Sequence, residues 1–261
     1  QTTGTAFTSG SVTARDTYNN TITTFNGSTN PVTITASNAG GMTNNILNQN
    51  VDFVNGVANL ATLATAYTGP SSPGGITFTA TSTIPLASGT SGNVVINNAS
   101  ATKFTITNKA LIEAGDPYTA GSGFTVTIEA RDANSNLVTN YNGVNIVLDD
   151  ADGTANPSIS PNLINFSNGV FSGVVTVTQA SPLILRVGQG SGLTTDQTLT
   201  ALVINPATLS SFVVVVATPQ TSGSDFVATS TITAKDTYNN TVTSFNGSTN
   251  PVTITASNGG G

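Results

Sequence analysis

The chain has 261 residues, of which 37% are hydrophobic and only 7% charged, with six basic against twelve acidic side chains and a net charge of −6. Ordinary globular domains carry about 25% charged residues, so this surface is made of Thr, Ser, Asn and Gly around an apolar share still large enough for a core. Histidine, cysteine and tryptophan are absent, which excludes disulfides, thiolate or imidazole metal sites and the usual general base, while six basic residues give a nucleic acid little to bind.

In chain order, the first predicted unit is TARDTYNNTITTFNGSTNPVTITASNAGG at residues 13–41. Asn26-Gly27 and Asn55-Gly56 are predicted strand reversals, because Asn-Gly readily supplies the positive φ of tight hairpins. Residues 76–81 alternate apolar and polar as a half-buried strand. Residues 123–131 alternate strictly, sending Phe124, Val126, Ile128 and Ala130 to a core and Thr125, Thr127, Glu129 and Arg131 to solvent. Further Asn-Gly turns follow at 142–143 and 168–169. Residues 183–187 are a predicted strand, and residues 212–216 form a run of β-formers apolar on both faces. No segment shows sustained helical periodicity, and no apolar run approaches the roughly 18 residues of a membrane span. No signal peptide is visible in this stretch, which says nothing about export, and no membrane insertion is expected in it.

The chain then repeats itself. Residues 13–41 return 220 residues later at 233–261, with Arg15/Lys235, Ile22/Val242, Thr24/Ser244 and Ala39/Gly259 as the four differences. A weaker repeat lies inside that period. Ala130-Arg131-Asp132 matches Ala14-Arg15-Asp16, and Phe166-x-Asn168-Gly169-Val170 matches Phe53-x-Asn55-Gly56-Val57. Val203-Ile204-Asn205-x-Ala207 matches Val95-Ile96-Asn97-x-Ala99, after which Phe212 matches Phe104. The expected modules are 1–98, lacking its first strand, 99–206, complete, and 207–261, the start of the next. Short strands at about ten-residue spacing in modules of this size predict an all-β fold of tandem immunoglobulin-like sandwiches, read as a window on a longer array.

The succession of alternating strand, Ala-[Arg/Lys]-Asp, short Asn-containing turn, Val/Ile-Thr-x-Phe/Tyr-x-Gly and later Phe-x-Asn-Gly-Val resembles the bacterial immunoglobulin-like repeats. These occur in invasin- and intimin-type adhesins, long repetitive adhesins and some surface-layer proteins. The resemblance covers essentially the whole chain and implies an extracellular, cell-surface setting. The usual turn is Asp-x-x-Gly-Asn, whereas here it is Asp-Thr-Tyr-Asn-Asn or Asp-Ala-Asn-Ser-Asn.

Several residues are candidates for a role beyond the core. Arg15, Asp16 and Tyr18, with Arg131 and Asp132, and Lys235, Asp236 and Tyr238, share repeat positions. They fit either a recurrent contact between neighbouring modules or a turn-capping carboxylate beside an outward base. Asp149, Asp150 and Asp152 crowd three carboxylates into one expected loop, a candidate calcium site, and Asp132, Asn134 and Asn136 have alternating oxygen-ligand spacing. Asn19, Asn26, Asn98, Asn165, Asn239 and Asn246 head glycosylation triplets. Catalysis is not expected. Nearly uncharged threonine-rich strands lack the lysines that ordinarily guard sheet edges. This predicts self-association with identical chains or adjacent repeats in a structural filament, stalk or sheath. An adhesin contacting surface glycans or proteins and a surface-layer lattice protein are the alternatives.

Overall fold

The structure, a computed structural model, describes residues 1–83, 86–151 and 158–256. Among the described residues it is all-β apart from one short helix, with sheets closing on apolar cores as in an immunoglobulin-like sandwich. The chain forms two compact units. One comprises Gln1–Thr105, Glu129–Gly143 and Asn165–Phe171, and the other the remaining segments. The division runs through the stretch 99–206 and gives part of it to each unit.

In the first unit, strand Val32–Ala36 lies between Ile46–Leu47 and Phe78–Thr83, with Leu86–Thr90 beyond. Its antiparallel register sets Ile34 opposite Ala80. Strand geometry alternates side chains between faces, so Val32, Ile34 and Ala36 turn inward while Thr33 and Thr35 face water. Three two-stranded pairs supply the other walls: Ser11–Thr13 with Val57–Asn59, Met42–Thr43 with Ala66–Tyr67, and Ser72–Ile76 with Val94–Ile96. Phe7 and Tyr67 meet Phe78 edge-on at 5.2 and 5.9 Å in the core, the aromatic geometry favoured by ring quadrupoles.

In the second unit, Ile146–Asp150 runs between Leu163–Ile164 and Leu185–Val187, followed by Asp196–Gln197. Tyr118–Thr119 pairs in parallel with Ile204–Asn205, and Leu209–Val215 pairs antiparallel with Thr231–Asp236. Val126, Ile128, Val175, Leu185 and Val187 are completely buried. The strand predicted at 123–131 forms over Gly123–Arg131, with its four apolar residues inward.

Three expectations need correction. Lys109–Ala114 is helical, where no helix was predicted. Six residues make fewer than two turns, too few to display a period. The helix is tied down by its surroundings: Ile112 is buried, Lys109 pairs with Asp196 at 2.6 Å, and Glu113 accepts the Leu199 amide at 2.6 Å. The Asn-Gly pairs also divide. Asn55-Gly56 and Asn168-Gly169 adopt positive φ at both residues (50° and 78°, 50° and 79°). Asn26 and Asn246 instead accept the amides of Ser28 and Ser248 through their side chains, both at 2.9 Å, and Asn142 accepts the Asn168 amide at 3.0 Å. Finally, Asp149 and Asp150 lie on a strand rather than in a loop.

Candidate functional site

The most specific polar structure in the chain is one loop built three times. Each copy lies at the end of a strand (Ser11–Thr13, Gly123–Arg131 and Thr231–Asp236), where the aspartate after Ala-Arg/Lys folds its carboxylate over the next four residues. Asp16 Oδ1 accepts the amides of Tyr18 and Asn20 at 2.9 and 2.8 Å, and Oδ2 accepts the Asn20 side-chain amide at 3.0 Å. Asp132 does the same with Asn134 and Asn136 at 2.9, 2.9 and 3.1 Å. Asp236 repeats it with Tyr238 and Asn240 at 2.9, 2.8 and 2.8 Å. The residue before the asparagine is left-handed each time, at φ 67° for Asn19 and 68° for Ser135 and Asn239. The preceding base closes the ring: Arg15 donates to the Asn19 carbonyl at 2.8 Å, Lys235 to the Asn239 carbonyl at 3.2 Å, and Arg131 to the Ser135 carbonyl. Arg131 also pairs with Glu129. The bases thus serve their own loops.

The asparagine amide reaches outward. In the first unit, Asn136 Nδ2 donates to the Thr68 carbonyl at 3.2 Å and to Thr3 Oγ1 at 3.4 Å, while Thr3 Oγ1 donates to the Gly69 carbonyl at 2.5 Å. In the second, Asn240 Nδ2 donates to the Thr178 carbonyl and Asn240 Oδ1 accepts the Ala180 amide, both at 2.8 Å. Asp236 Oδ2 also accepts the Ala207 amide at 2.8 Å. Tyr238 lies against Gly121, whose φ of 82° and lack of a side chain make room for the ring. Both aspartates are buried, Asp132 at 1% and Asp236 at 3% exposure. The first copy has no such cover: Asp16 and Asn20 are exposed, and Tyr18 is 85% exposed against 43% for Tyr238.

Sequence reasoning picked out Asp16, Asp132 and Asp236 but missed Asn20 and Asn240. It placed Asn136 only among possible metal ligands. The signal was present, because an asparagine stands four residues after the aspartate in all three copies. The receiving groups, main-chain atoms of Thr68, Thr178 and Ala180, carry no sequence signature.

The loop also sets the acid response. Asp16 is held below the ordinary carboxylate value, first by the Asn20 side chain and then by the Asn20 and Tyr18 amides. Burial pushes Asp236 up, but donation from the Asn240 side chain and from the Ala207, Asn240 and Tyr238 amides outweighs it, and the net shift is downward. A lowered folded value means that stability from this loop is complete above the free aspartate value of about 4 and disappears as pH falls through the lowered one. Carboxyl chemical shifts followed from pH 6 to 2 should give Asp236 a midpoint below that of a free aspartate. A midpoint at or above it would refute this account.

The remaining candidates lie elsewhere. Asp149 makes a two-point contact with Arg186, at 3.0 Å to Nε and 2.7 Å to Nη2, and raises the guanidinium pKa through that bond. Asp150 points the opposite way, is 4% exposed and accepts the Ile184 amide at 3.1 Å. Asp152 lies outside the described residues. Among the described residues no three acidic side chains converge as metal ligands do, and Asp132 directs its oxygens at Asn134 and Asn136 amides. Of the glycosylation triplets, Asn19 and Asn239 stand exposed on the loops. Asn98 donates to Thr139 at 2.8 Å, Asn26 and Asn246 are engaged in their turns, and Asn165 is also partnered. No described helix is long and apolar enough to cross a membrane.

No protein-family model matches the chain, and no curated protein does. Among solved structures it is similar to InvD of Yersinia pseudotuberculosis, at 18% identity over 89% of this chain and 66% of that one, with a TM-score of 0.34. It is also similar to invasin, described as a bacterial integrin-binding protein, at 18% identity over 94% and 46%, with a TM-score of 0.30. Domains 4–9 of the surface layer protein SbsC match at 14% identity over 90% and 33%, with a TM-score of 0.29. The chain spans no more than 66% of the length of any of these three.

Proposed function

We propose that this chain is a structural repeat segment of an extracellular cell-surface filament, stalk or sheath, made of immunoglobulin-like modules that change over near residues 98 and 206. The supporting observation is the loop that grips the main chain of an earlier segment twice. Asn136 reaches back 68 residues to Thr68, and Asn240 reaches back 62 residues to Thr178. A contact recurring at nearly constant reach is how a repeat protein fixes each unit to the one before it. The near absence of charge fits close packing of copies without electrostatic cost, and the six basic residues leave few sites for trypsin-like proteases.

A second reading, an adhesin segment that contacts glycans or proteins of another cell, draws on one observation, the solvent-facing ring of Tyr18. Electron cryo-microscopy of native, antibody-labelled cells separates the two. The structural reading expects label on unpermeabilised cells and a regular fibre or sheet with a fixed step between modules. Flexible strands ending in a distinct head would replace it with an adhesin stalk, and label confined to permeabilised cells would overturn both.

A further inference from the structure

A cleft of about 360 Å³ lies wholly within the first unit, lined by residues 98–101 on one side and by Val138, Asn140 and Tyr141 on the other. Every wall is interior to the sequence, and paired strands flank residues 98–101, Val94–Ile96 before and Lys103–Ile106 after. The main chain holds both sides in place. Asn97 donates to the Gln1 carbonyl at 2.7 Å and accepts the Thr3 amide at 3.1 Å, and Thr102 donates to the Arg131 carbonyl at 2.8 Å. The segment between them is thus tethered at each end. Opposite, Val138 donates to the Ala130 carbonyl and Tyr141 to the Val138 carbonyl, while the Tyr141 carbonyl accepts the Gly169 amide at 2.8 Å. The cleft is therefore preformed, as sites for small ligands ordinarily are.

Four of the lining residues, Asn98, Ser100, Asn140 and Tyr141, present polar groups that the fold does not consume. Asn98 donates its side-chain amide to Thr139 Oγ1 at 2.8 Å, which fixes the side chain and leaves Oδ1 to accept. Among the described residues, the side chains of Ser100, Asn140 and Tyr141 hydrogen-bond to no group of the chain. Tyr141 is the most informative. Its ring packs on Phe104 and Phe166 at 5.9 and 5.4 Å, but a phenylalanine suffices for that, since the repeat puts Phe25 and Phe245 at the same position. What the tyrosine adds is its hydroxyl, which lies over Gly143, where the missing side chain leaves it room. Burial pushes the phenol pKa up, so the group stays a protonated donor. At the next changeover the counterparts of Asn98 and Asn140 are Pro206 and Ser244. Packing and turn formation thus proceed without these polar groups, which the chain carries at one changeover and not at the other.

None of the lining residues is charged, so a phosphate, carboxylate or ammonium ligand would go unpaired there. Side-chain amides and hydroxyls donate and accept alike, which is what the hydroxyls of a sugar ring require. The volume lies at the small end of ligand sites, which run about 300–1,000 Å³. It has room for a sugar ring and too little for a stretch of peptide. We propose that this cleft binds a neutral pyranose unit of a polysaccharide, with Asn98 Oδ1, the Asn140 amide and the Tyr141 hydroxyl as its hydrogen-bonding groups and Val138 as its apolar contact. In a repeated array one such site recurs in each 220-residue period, so a long saccharide is held at successive weak points and avidity grows with the number engaged. The inference goes beyond the repeat-segment reading, since a filament and an adhesin stalk can both carry the site.

The test is nuclear magnetic resonance of the isotope-labelled full chain, titrated with the methyl glycosides of glucose, mannose, galactose and N-acetylglucosamine. At least one of them is expected to bind with a Kd of about 1 mM, as a single small site does, and to shift the amides of residues 98–101 and 138–141. Tyr141→Phe and Asn140→Ser each install the residue found at a repeat counterpart. Each should weaken binding about twofold to tenfold, the share of one neutral hydrogen bond, with an unchanged urea midpoint. No shift with any of these glycosides, shifts centred elsewhere, or full affinity in the double variant overturns the inference. So does a capped Gly-Ser-Thr-Asn peptide that shifts the same amides more strongly than any glycoside, which makes the cleft a peptide site. Cell-surface labelling is untouched by these outcomes, so the two readings fail separately.

Discussion

Phe104→Ala is expected to destabilise the fold by about 3–5 kcal/mol, the range for emptying a buried phenylalanine site. Phe104 sits on strand Lys103–Ile106 at 2% exposure, wedged against Tyr141 and Phe166. Removing its ring opens a cavity whose other walls are rings held by their own turns. Tyr141 donates its amide to the Val138 carbonyl, and Ser167, beside Phe166, exchanges amide bonds with Val170. Such walls cannot collapse inward without breaking main-chain hydrogen bonds, so the loss should lie high in the range. Phe212→Ala, at a ring 37% exposed with one aromatic neighbour, should cost about 1 kcal/mol. Urea unfolding of both variants measures the difference. Equal losses would mean that the third ring contributes nothing beyond hydrophobic area.

Asp132→Ala should be nearly as damaging, at about 2–4 kcal/mol. The carboxylate takes three donors, the amides of Asn134 and Asn136 and the Asn136 side chain, at a site 1% exposed. Hydrogen bonds to a charged acceptor contribute about 1.5–3 kcal/mol each, and buried donors without one carry their desolvation cost. Local water recovers part of this, which sets the lower figure. The variant also frees the Asn136 side chain that Asp132 aims at Thr68, so the damage should spread to the main chain around residues 3 and 68. Asp16→Ala breaks the same three bonds in solvent and should change stability far less. Amide hydrogen exchange distinguishes the two: Gly4, whose amide donates to the Tyr67 carbonyl, should lose protection in Asp132→Ala and keep it in Asp16→Ala. Loss of protection in neither would detach the loop from the segment it touches.

Much of this was readable from composition and spacing. Gly123–Arg131 was legible to its ends because strict alternation and a half-buried sheet share a period of two. Asp16, Asp132 and Asp236 were legible because a carboxylate after a strand, followed by small polar residues, has few stable uses other than capping a turn. What stayed hidden was whatever depends on distant chain. Asn26-Gly27 and Asn55-Gly56 are the same dipeptide, yet only the second turns through positive φ. At Gly27 a side chain would press on the Leu47 and Gln49 carbonyls, a constraint set by packing rather than by local preference. Asp149 and Asp150 looked like a repelling cluster until Arg186 and the Ile184 amide separated them to opposite faces of one strand.

The groups that Asn136 and Asn240 hold have one further consequence. Each grips the peptide backbone: the carbonyls of Thr68 and Thr178 and the amide of Ala180. Nearly every residue type presents a peptide carbonyl and amide alike. A gene encoding such a chain can therefore be lengthened, shortened or recombined between copies without matched changes on the two sides of each join. The side chains of Thr68, Thr178 and Ala180 are free to drift while the join persists, whereas Thr3, through its hydroxyl, and Gly121, through its lack of a side chain, are held. Because these side-chain joins use neutral amides rather than opposed charges, they should also hold as the surrounding medium passes from fresh water to brine.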